Sequence, residues 1–314
     1  MNGNNGMVIV FGSINLDLSV PVRQAPGPGE TVLGGALLMS AGGKGANQAH
    51  AARRYAANGA RVALAGAVGD DSLAPSALAS LEDAGVELAA LRRVASQATG
   101  TALITLDVHG ENRIVVAPGA NDAACAADVS DADLAQAAVL LLQLEVPLAQ
   151  SQELAWRARA HGCRVMLNAA PMLEEAVQAL GDVDVVIVNR IELDQLADLS
   201  GLAPGAPATR AVALARSRRC EVLLTLGADG ALLAAVDGSV LTVAGHPVGV
   251  VDSTGAGDTF AGVFAAACAE GQAPQAALEA ANAAAALCCT RRGAQPAQPG
   301  RQAIEAFHAT GRPA

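Results

Sequence analysis

Five consecutive apolar residues, Met7–Phe11 (MVIVF), stand near the start of the chain with no polar residue among them. A strand with one wet face would alternate, so an unbroken run of this length reads as a strand buried on both faces. Strand-like runs recur at Arg61–Ala67, Val139–Leu144, Arg164–Leu167, Val183–Val188 and Glu221–Thr225. Helix-like stretches lie between most of them: Ala46–Asn58 closed by Gly59, one around Gln152–Ala160, and one after Val188. The alternation predicts an α/β fold, a parallel sheet covered by helices with right-handed connections.

Two segments break the rhythm. Residues 17–38 hold strand-like pieces around the turn APGPGE, and Thr99–Val116 reads as a hairpin with HGEN at its tip. Neither carries a helix, so the two are expected to pair as a small sheet beside the main domain. After Asp258 the chain reads as helical, over Thr259–Glu270 up to Gly271 and over Gln275–Cys289. Clusters of Pro, Gly and Ala at Leu202–Ala208 and Gly293–Gly300 read as loops.

Composition narrows the function. The 314 residues are 52% hydrophobic but only 2% aromatic, so the core must be built from Ala, Val and Leu. A formal charge of -10 argues against nucleic acid or an anionic membrane as the main partner. An anionic small ligand remains compatible, because backbone N–H groups at a helix start hold phosphate without basic side chains. The N-terminal MNGNNGMVIVFGSIN has no basic segment and does not read as a signal peptide. The most apolar long stretch, AAVLLLQLEVPLA, carries Gln143 and Glu145 and does not read as a membrane span. Cys125, Cys163, Cys220, Cys268, Cys288 and Cys289 show no metal-binding spacing and read as buried thiols of a reduced, cytoplasmic protein.

The densest chemistry is DSTGAGDTF, Asp252–Phe260. The apolar run Val248–Val251 precedes it and a helix follows, which places Gly255, Ala256 and Gly257 at a strand-to-helix junction. Small residues there admit close backbone approach, and the unpaired N–H groups of the helix start could form a hole for phosphate oxygens. Asp258 at its rim is poorly placed to bind phosphate and well placed to take a proton from a hydroxyl attacking phosphorus. Asp258 as a helix cap and Asp252 as a turn residue are the plainer readings of the same stretch.

In Ala41–Gln48 (AGGKGANQ) glycines open another helix. It is not GxxxxGK[ST], because Leu38 and Gly45 occupy required positions, nor GxGxxG, because Gln48 stands where the third glycine belongs. Asn47 offers donors and an acceptor to a sugar hydroxyl, although a tight loop with a solvated Lys44 reads as well. In GSINLD, Asn15 and Asp17 alternate with apolar residues and share a face suited to a polyol. The stretches QLE, NRIE and TLG also set polar groups at strand ends, where open α/β sheets bind ligands. Together these residues read as a phosphoryl-transfer enzyme acting on a polyol.

The motifs GSINLD, PGPGET, GGKGANQA, QLE, NxxE, TLG, DSTGAGDTF and TRRGAQP, running from residue 12 to residue 297, resemble the PfkB family of carbohydrate kinases and, within it, the ribokinase group. The resemblance covers nearly the whole chain. It implies one kinase domain over 1–314, a ribokinase-like three-layer αβα sandwich with a mostly parallel sheet and a small β-sheet lid from segments 17–40 and 97–118. It implies that Asn15, Asp17, Gly43, Asn47 and Glu145 hold ribose hydroxyls with Lys44 close by. Asp258 would be the base, and the N–H groups of Gly255, Ala256 and Gly257 the anion hole. Asn189, Thr225, Gly227, Gly257 and Asn282 would face the nucleotide.

The resemblance further implies ATP as co-substrate, magnesium organised through water by Glu192, and an activating potassium ion. That ion would lie on the Asp252 carboxylate and the carbonyls of Thr254, Cys288, Arg291 and Gly293. Ala297 stands where the family often has a serine ligand, a departure that predicts a weaker site. D-ribose and ATP are the implied substrates, and lids that pair imply a homodimer. Another sugar or nucleoside kinase, such as a fructokinase or deoxyribose kinase, is the nearest alternative; the low aromatic content disfavours a nucleoside acceptor. A catalytically silent sugar-binding regulator is a further one, which Asp258 and its glycines disfavour.

Overall fold

The computed structural model describes residues 6–108 and 112–310. Nine strands form the large sheet. They are β1 (Met7–Phe11), β4 (Val62–Gly69), β5 (Leu91–Val94), β8 (Ala137–Leu142), β9 (Arg164–Asn168), β10 (Val185–Asn189), β11 (Glu221–Thr225), β12 (Ala231–Ala234) and β13 (Val240–Val243). Their spatial order is β13-β12-β11-β10-β9-β8-β1-β4-β5. All neighbours pair in parallel except β12 and β13, which close one edge antiparallel.

Helices cover both faces. On one lie α1 (Lys44–Tyr55), α2 (Ala74–Ala84), α8 (Ala256–Ala269), α9 (Pro274–Cys288) and α10 (Arg301–Thr310). On the other lie α4 (Leu148–Ala160), α6 (Arg190–Leu199) and α7 (Pro207–Arg218), with the short α3 (Asp131–Gln136) and α5 (Ala176–Ala179). Successive strand residues point to opposite faces. Val8 and Val10 therefore enter the core under α1 and α8, and Met7, Ile9 and Phe11 the core under α4. Alanine permits close helix spacing here. At Gly262 of α8 an added Cβ would lie 2.3 Å from the Gln48 carbonyl oxygen of α1.

The second sheet is separate, in the order β3-β2-β6-β7, formed by β2 (Asn15–Pro21), β3 (Leu38–Gly42), β6 (Gly100–Leu106) and β7 (Asn112–Ala117). The expected pairing of the two segments takes place through β2 and β6, which run parallel. The expected HGEN tip spans residues 109–112, of which 109–111 lie outside the described ones and Asn112 opens β7. Leu38, Met39, Leu103, Ile114, Val115 and Val116 of this sheet are all more than half exposed.

Several expected boundaries shift. The first helix starts at Lys44 and stops at Tyr55, because the Tyr55 carbonyl accepts from Arg301 Nε (2.6 Å) and the Ala57 N–H turns to Glu270 Oε1 (2.7 Å). The strand expected to reach Leu144 ends at Leu142; the Leu144 N–H donates to the Ala170 carbonyl (3.1 Å). The run Val248–Val251 is not a strand. It is irregular chain between β13 and α8, with Val250 and Val251 exposed and the Val251 N–H on the Cys289 carbonyl (2.8 Å). Four apolar residues satisfy the strand pattern, yet Val248 and Val250 line a cavity. The following helix starts at Ala256, so Asp258 lies inside its first turn.

Candidate active site

β1 and β8 are neighbours, yet the chain leaves β1 towards β4 and reaches β8 only later. Such a reversal of strand order opens a crevice at the carboxyl ends of the strands. The sequence places GSINLD after β1 and QLE after β8, which brings Ser13 and Glu145 together: Ser13 Oγ donates to Glu145 Oε2 at 2.5 Å. The Lys44 N–H, opening α1, donates to the same oxygen at 3.1 Å. No Cβ would fit at Gly45, where it would lie 2.5 Å from the Gly12 carbonyl carbon, so α1 starts hard against the β1 turn.

Asp258 is buried in this crevice. Asn47 Nδ2 donates to its Oδ2 at 2.9 Å and Gln48 Nε2 to its Oδ1 at 3.0 Å. Burial pushes its carboxyl up, against the pull of Lys44 and the two amides. Asp258 is not the helix cap: Gly255 holds that position, in the left-handed region, and no side chain caps it. A Cβ at Gly255 would meet the Ala294 side chain at 2.8 Å, whereas Gly257 faces open space. The Ala256 N–H rests on the Ser253 carbonyl at 3.2 Å and must leave it before it can serve an anion.

The other expected sugar residues converge here. Asn15 is buried, its Oδ1 accepting from Asn121 Nδ2 at 2.8 Å. Asp17 is half-buried on the same face of β2, and its side chain has no hydrogen-bond or ion-pair partner among the described residues. Burial, Glu145 and Asp258 push its carboxyl up to about 6. Gly42 lets it lie there, since a Cβ on that glycine would be 2.4 Å from Asp17 Oδ2. Gly43, at φ 87°, precedes α1. Burial pulls the Lys44 ammonium down, but Asp258, Glu145 and Glu192 outweigh it and hold it above the usual lysine range. A cleft of about 300 Å³ adjoins Asn15 and Glu145, walled by Val116 of the second sheet and by Pro118 just beyond it.

Gly257, the chain neighbour of Asp258, lines a cavity of about 550 Å³, within the range of small-molecule sites. Thr225, Gly227, Gly257 and Asn282 all line it, as expected of nucleotide contacts, with His246, Val248, Phe260 and Cys289 as further walls. Asn282 Nδ2 is spent on the Ala244 carbonyl at 2.9 Å. Asn189 is not among the lining residues. It ends β10 beside Thr225 and forms a capping box with Glu192, Oδ1 accepting the Glu192 N–H at 2.9 Å and Glu192 Oε2 the Asn189 N–H at 2.8 Å. Asn189 Nδ2 and Glu192 Oε1 are what remain for a ligand. Burial pushes the Glu192 carboxyl up, opposed by the Asn189 N–H and Lys44.

Asp252 holds two strands of loop together, its Oδ1 accepting from the Thr254 N–H (3.0 Å) and Oγ1 (2.7 Å) and its Oδ2 from the Gly293 N–H (2.8 Å). Burial raises its carboxyl, but these donors outweigh it and hold it below the usual range. Cys288 lies against the Thr254 carbonyl (Sγ to O 3.8 Å), the Arg291 N–H on the Cys288 carbonyl (3.2 Å), and Ala297 is buried in the turn that follows. The expected ligands, one carboxylate and backbone carbonyls, are the oxygen chemistry a hard cation takes. Among the described residues no group of three or more His, Cys, Asp or Glu side chains forms a metal cage. Magnesium in phosphoryl-transfer sites needs none, being held largely by substrate phosphates and water.

Sequence reading passed over Ser13, Gln48, Asn121, Gln143, Asn168 and Gln295, all of which bond to site residues or to their supports. Two signals were available: Asn47–Gln48 is a polar pair in an otherwise alanine-lined helix face, and Lys44 is the only lysine in the chain.

The chain matches known proteins across nearly its whole length. The description "pfkB family carbohydrate kinase" fits residues 5–301. A ribokinase of Haemophilus influenzae is 36% identical over 296 residues, covering 93% of this chain and 95% of that protein. The crystal structure of a ribokinase from Thermotoga maritima superposes with a TM-score of 0.88 at 31% identity, covering 97% of this chain and 99% of that one. An Arabidopsis thaliana ribokinase complexed with ribose and ATP gives 0.86 at 32% identity, over 96% and 98%. With its two sheets, its buried aspartate behind a glycine hinge and a family match over almost every residue, the chain belongs to the PfkB family of carbohydrate kinases.

Proposed function

We propose that this protein is an ATP-dependent ribokinase, transferring the terminal phosphoryl group of ATP to the primary 5-hydroxyl of D-ribose to give D-ribose 5-phosphate and ADP. One observation carries the reading. Asp258 is buried among the polar residues of the strand-end crevice, bonded to Asn47 and Gln48, and its chain neighbour Gly257 lines a cavity of small-molecule size. The similarity to ribokinases, one of them complexed with ribose and ATP, supports this choice of substrates.

Asn15, Asp17, Asn47, Glu145 and the Gly43 backbone hold the ribose hydroxyls and turn the 5-hydroxyl to Asp258. Asp258 takes its proton as the oxygen attacks phosphorus. The N–H groups of Gly255, Ala256 and Gly257 receive the charge on the transferring group, with the dipole of α8 behind them. Thr225, Gly227, Gly257 and Asn282 hold the nucleotide from the cavity, and Asn189 approaches from the end of β10. Glu192 would orient the waters of magnesium, which when bound neutralises phosphate charge. Asp252 with the carbonyls of Thr254, Cys288, Arg291 and Gly293 would hold potassium, beside the Ala297 position that supplies no hydroxyl.

The chain acts as one catalytic unit, with segments 17–40 and 97–118 as a lid over the sugar. The apolar surface of that lid, Met39, Leu103 and Val115 on one face, suits pairing with a second copy. Use of ATP and six cysteines without metal-binding spacing are consistent with a cytoplasmic enzyme. ADP release measured over ribose, 2-deoxyribose, fructose and adenosine tests the assignment. Ribose should give the highest kcat/KM, and a higher value for any other acceptor would reassign the enzyme.

A further inference from the structure

Asp258 is reached by amides that are themselves held by amides. Its carboxylate only accepts hydrogen bonds, so each amide touching it must present its NH2 group. Asn47 does so at Oδ2 and Gln48 at Oδ1. That fixes where their own oxygens point. Asn47 Oδ1 accepts from Gln295 Nε2 at 3.0 Å, and Ser80 Oγ donates to Gln295 Oε1. Gln48 Oε1 accepts from Gln143 Nε2 at 2.6 Å. Gln48 Nε2 also donates to Asn168 Oδ1 at 3.0 Å, and Asn168 Nδ2 ends the branch on the Ile187 carbonyl at 3.2 Å.

Every direction in this network follows outward from one carboxylate. The Gln143 branch ends at a cost, because Gln143 Oε1 is buried without a partner. It lies against the Gly12 backbone, where a Cβ would be only 1.7 Å away. Turning the Gln143 amide would let that oxygen accept from Gln48, but Gln48 would then set its own oxygen against Asp258. The orphaned acceptor therefore marks a side chain kept in a locally unfavourable orientation by what it does for its neighbour.

We propose that Gln48 is a positioning residue for Asp258, and that Gln143 sets which way the Gln48 amide faces. The inference rests on Asp258 being the base. The charged groups around the carboxylate are Lys44 of α1, Glu145 after β8, Asp17 of β2 and Glu192 of α6. Among the described residues none of these bonds to it, so its orientation is set by Asn47 and Gln48. Asn47 also faces the sugar, whereas Gln48 and Gln143 are fully buried behind the base. Their loss should leave sugar binding in place and strike the chemical step.

The experiment uses the full chain with D-ribose and ATP, measuring kcat, ribose affinity by calorimetry without nucleotide, and thermal unfolding. Gln48→Met keeps the length and removes the donor. It should lower kcat about 10- to 100-fold, the worth of one hydrogen bond to a charged group, and change ribose affinity less than about twofold. In an Asp258→Asn background the same change should have no further effect on kcat. Gln143→Glu, assayed at the alkaline end of the working range so that the new carboxyl is ionised, presents only acceptors, so Gln48 must turn its NH2 to residue 143 and its oxygen to Asp258. It should therefore lower kcat more than Gln143→Met does.

Full turnover in a folded Gln48→Met protein overturns the inference. So does Gln143→Met impairing turnover as much as Gln143→Glu, a comparison that decides the matter if Gln48→Met does not fold. Near wild-type turnover of Asp258→Asn would instead remove the base assignment on which the inference stands, whereas an inactive Asp258→Asn beside an active Gln48→Met rejects the positioning role alone.

Discussion

Replacing Asp17 by asparagine should make the ligand-free protein more stable while weakening its hold on ribose. In the folded chain the Asp17 carboxyl is raised from 3.8 to about 6, by burial first and then by Glu145 and Asp258. Between those values the folded state holds the proton more firmly than the unfolded state. Stability conferred by this group is therefore present at low pH and lost as pH rises through 6. Two pKa units correspond to about 3 kcal/mol once both states are ionised, trimmed to about 2–3 kcal/mol because Asp17 keeps some contact with water.

At pH 4.5 the same linkage leaves a penalty of only about 1 kcal/mol. Asparagine carries no charge at either pH, and the Asp17 side chain has no hydrogen-bond or ion-pair partner among the described residues to lose. At about 2.1 cal/mol/K per residue, 314 residues convert each kcal/mol into about 1.5 °C. Asp17→Asn should thus raise Tm by about 3–4 °C at pH 7.5 and by about 1.5 °C at pH 4.5, by calorimetry without ligand. Ribose affinity at pH 7.5 should fall about tenfold or more, as a charged hydrogen-bond acceptor is lost. A lower Tm at pH 7.5, or equal gains at the two pH values, would refute the claim that the site strains this carboxylate.

Four further outcomes are expected. Asp258→Asn should lower kcat by ~10²–10⁴ with ribose affinity much less affected, measured by ADP release and calorimetry; near wild-type turnover would leave Asp258 a structural residue. Gly42→Ala puts a methyl group where Asp17 Oδ2 lies 2.4 Å away, so the KM for ribose should rise about tenfold with a smaller change in kcat; an unchanged KM would show that this carboxylate is free to move. Potassium should raise kcat more than it changes ATP affinity, at lower concentration in Ala297→Ser and hardly at all in Asp252→Ala, with choline holding ionic strength; activity indifferent to potassium would leave Asp252 a loop clamp. Leu103→Asp, on the apolar lid surface, should convert a dimer to a monomer in sedimentation velocity, and an unchanged mass would place the interface elsewhere or nowhere.

The strands of the large sheet were legible because parallel strands covered on both faces must be apolar throughout, as Met7–Phe11 and Val185–Val188 are. The same rule misassigned Val248–Val251, since a pattern of apolar residues does not say whether they face a core or a ligand cavity. The second sheet was legible by contrast, as two β segments without helices. Asn15, Asp17, Lys44, Asn47, Glu145 and Asp258 could be named from motif and resemblance, and the fold brings them to one crevice. Gln48, Gln143 and Gln295 could not. Glutamine is ordinary on any helix or strand end, and what distinguishes these three is contact across 95 to 248 residues of chain.

The solitary lysine has a practical consequence. With one lysine in the sequence, the surface is basic through guanidinium groups alone, and Lys44 stands at the mouth of α1 beside the sugar crevice. Reagents that acylate side-chain amines therefore meet a single target, and its protection would report whether the crevice is filled. A lysine placed by design elsewhere on the protein would be a second, freely exposed handle. Labelling in the presence of saturating acceptor would then attach a fluorophore or a surface at that chosen point, with the native amine shielded by its own substrate.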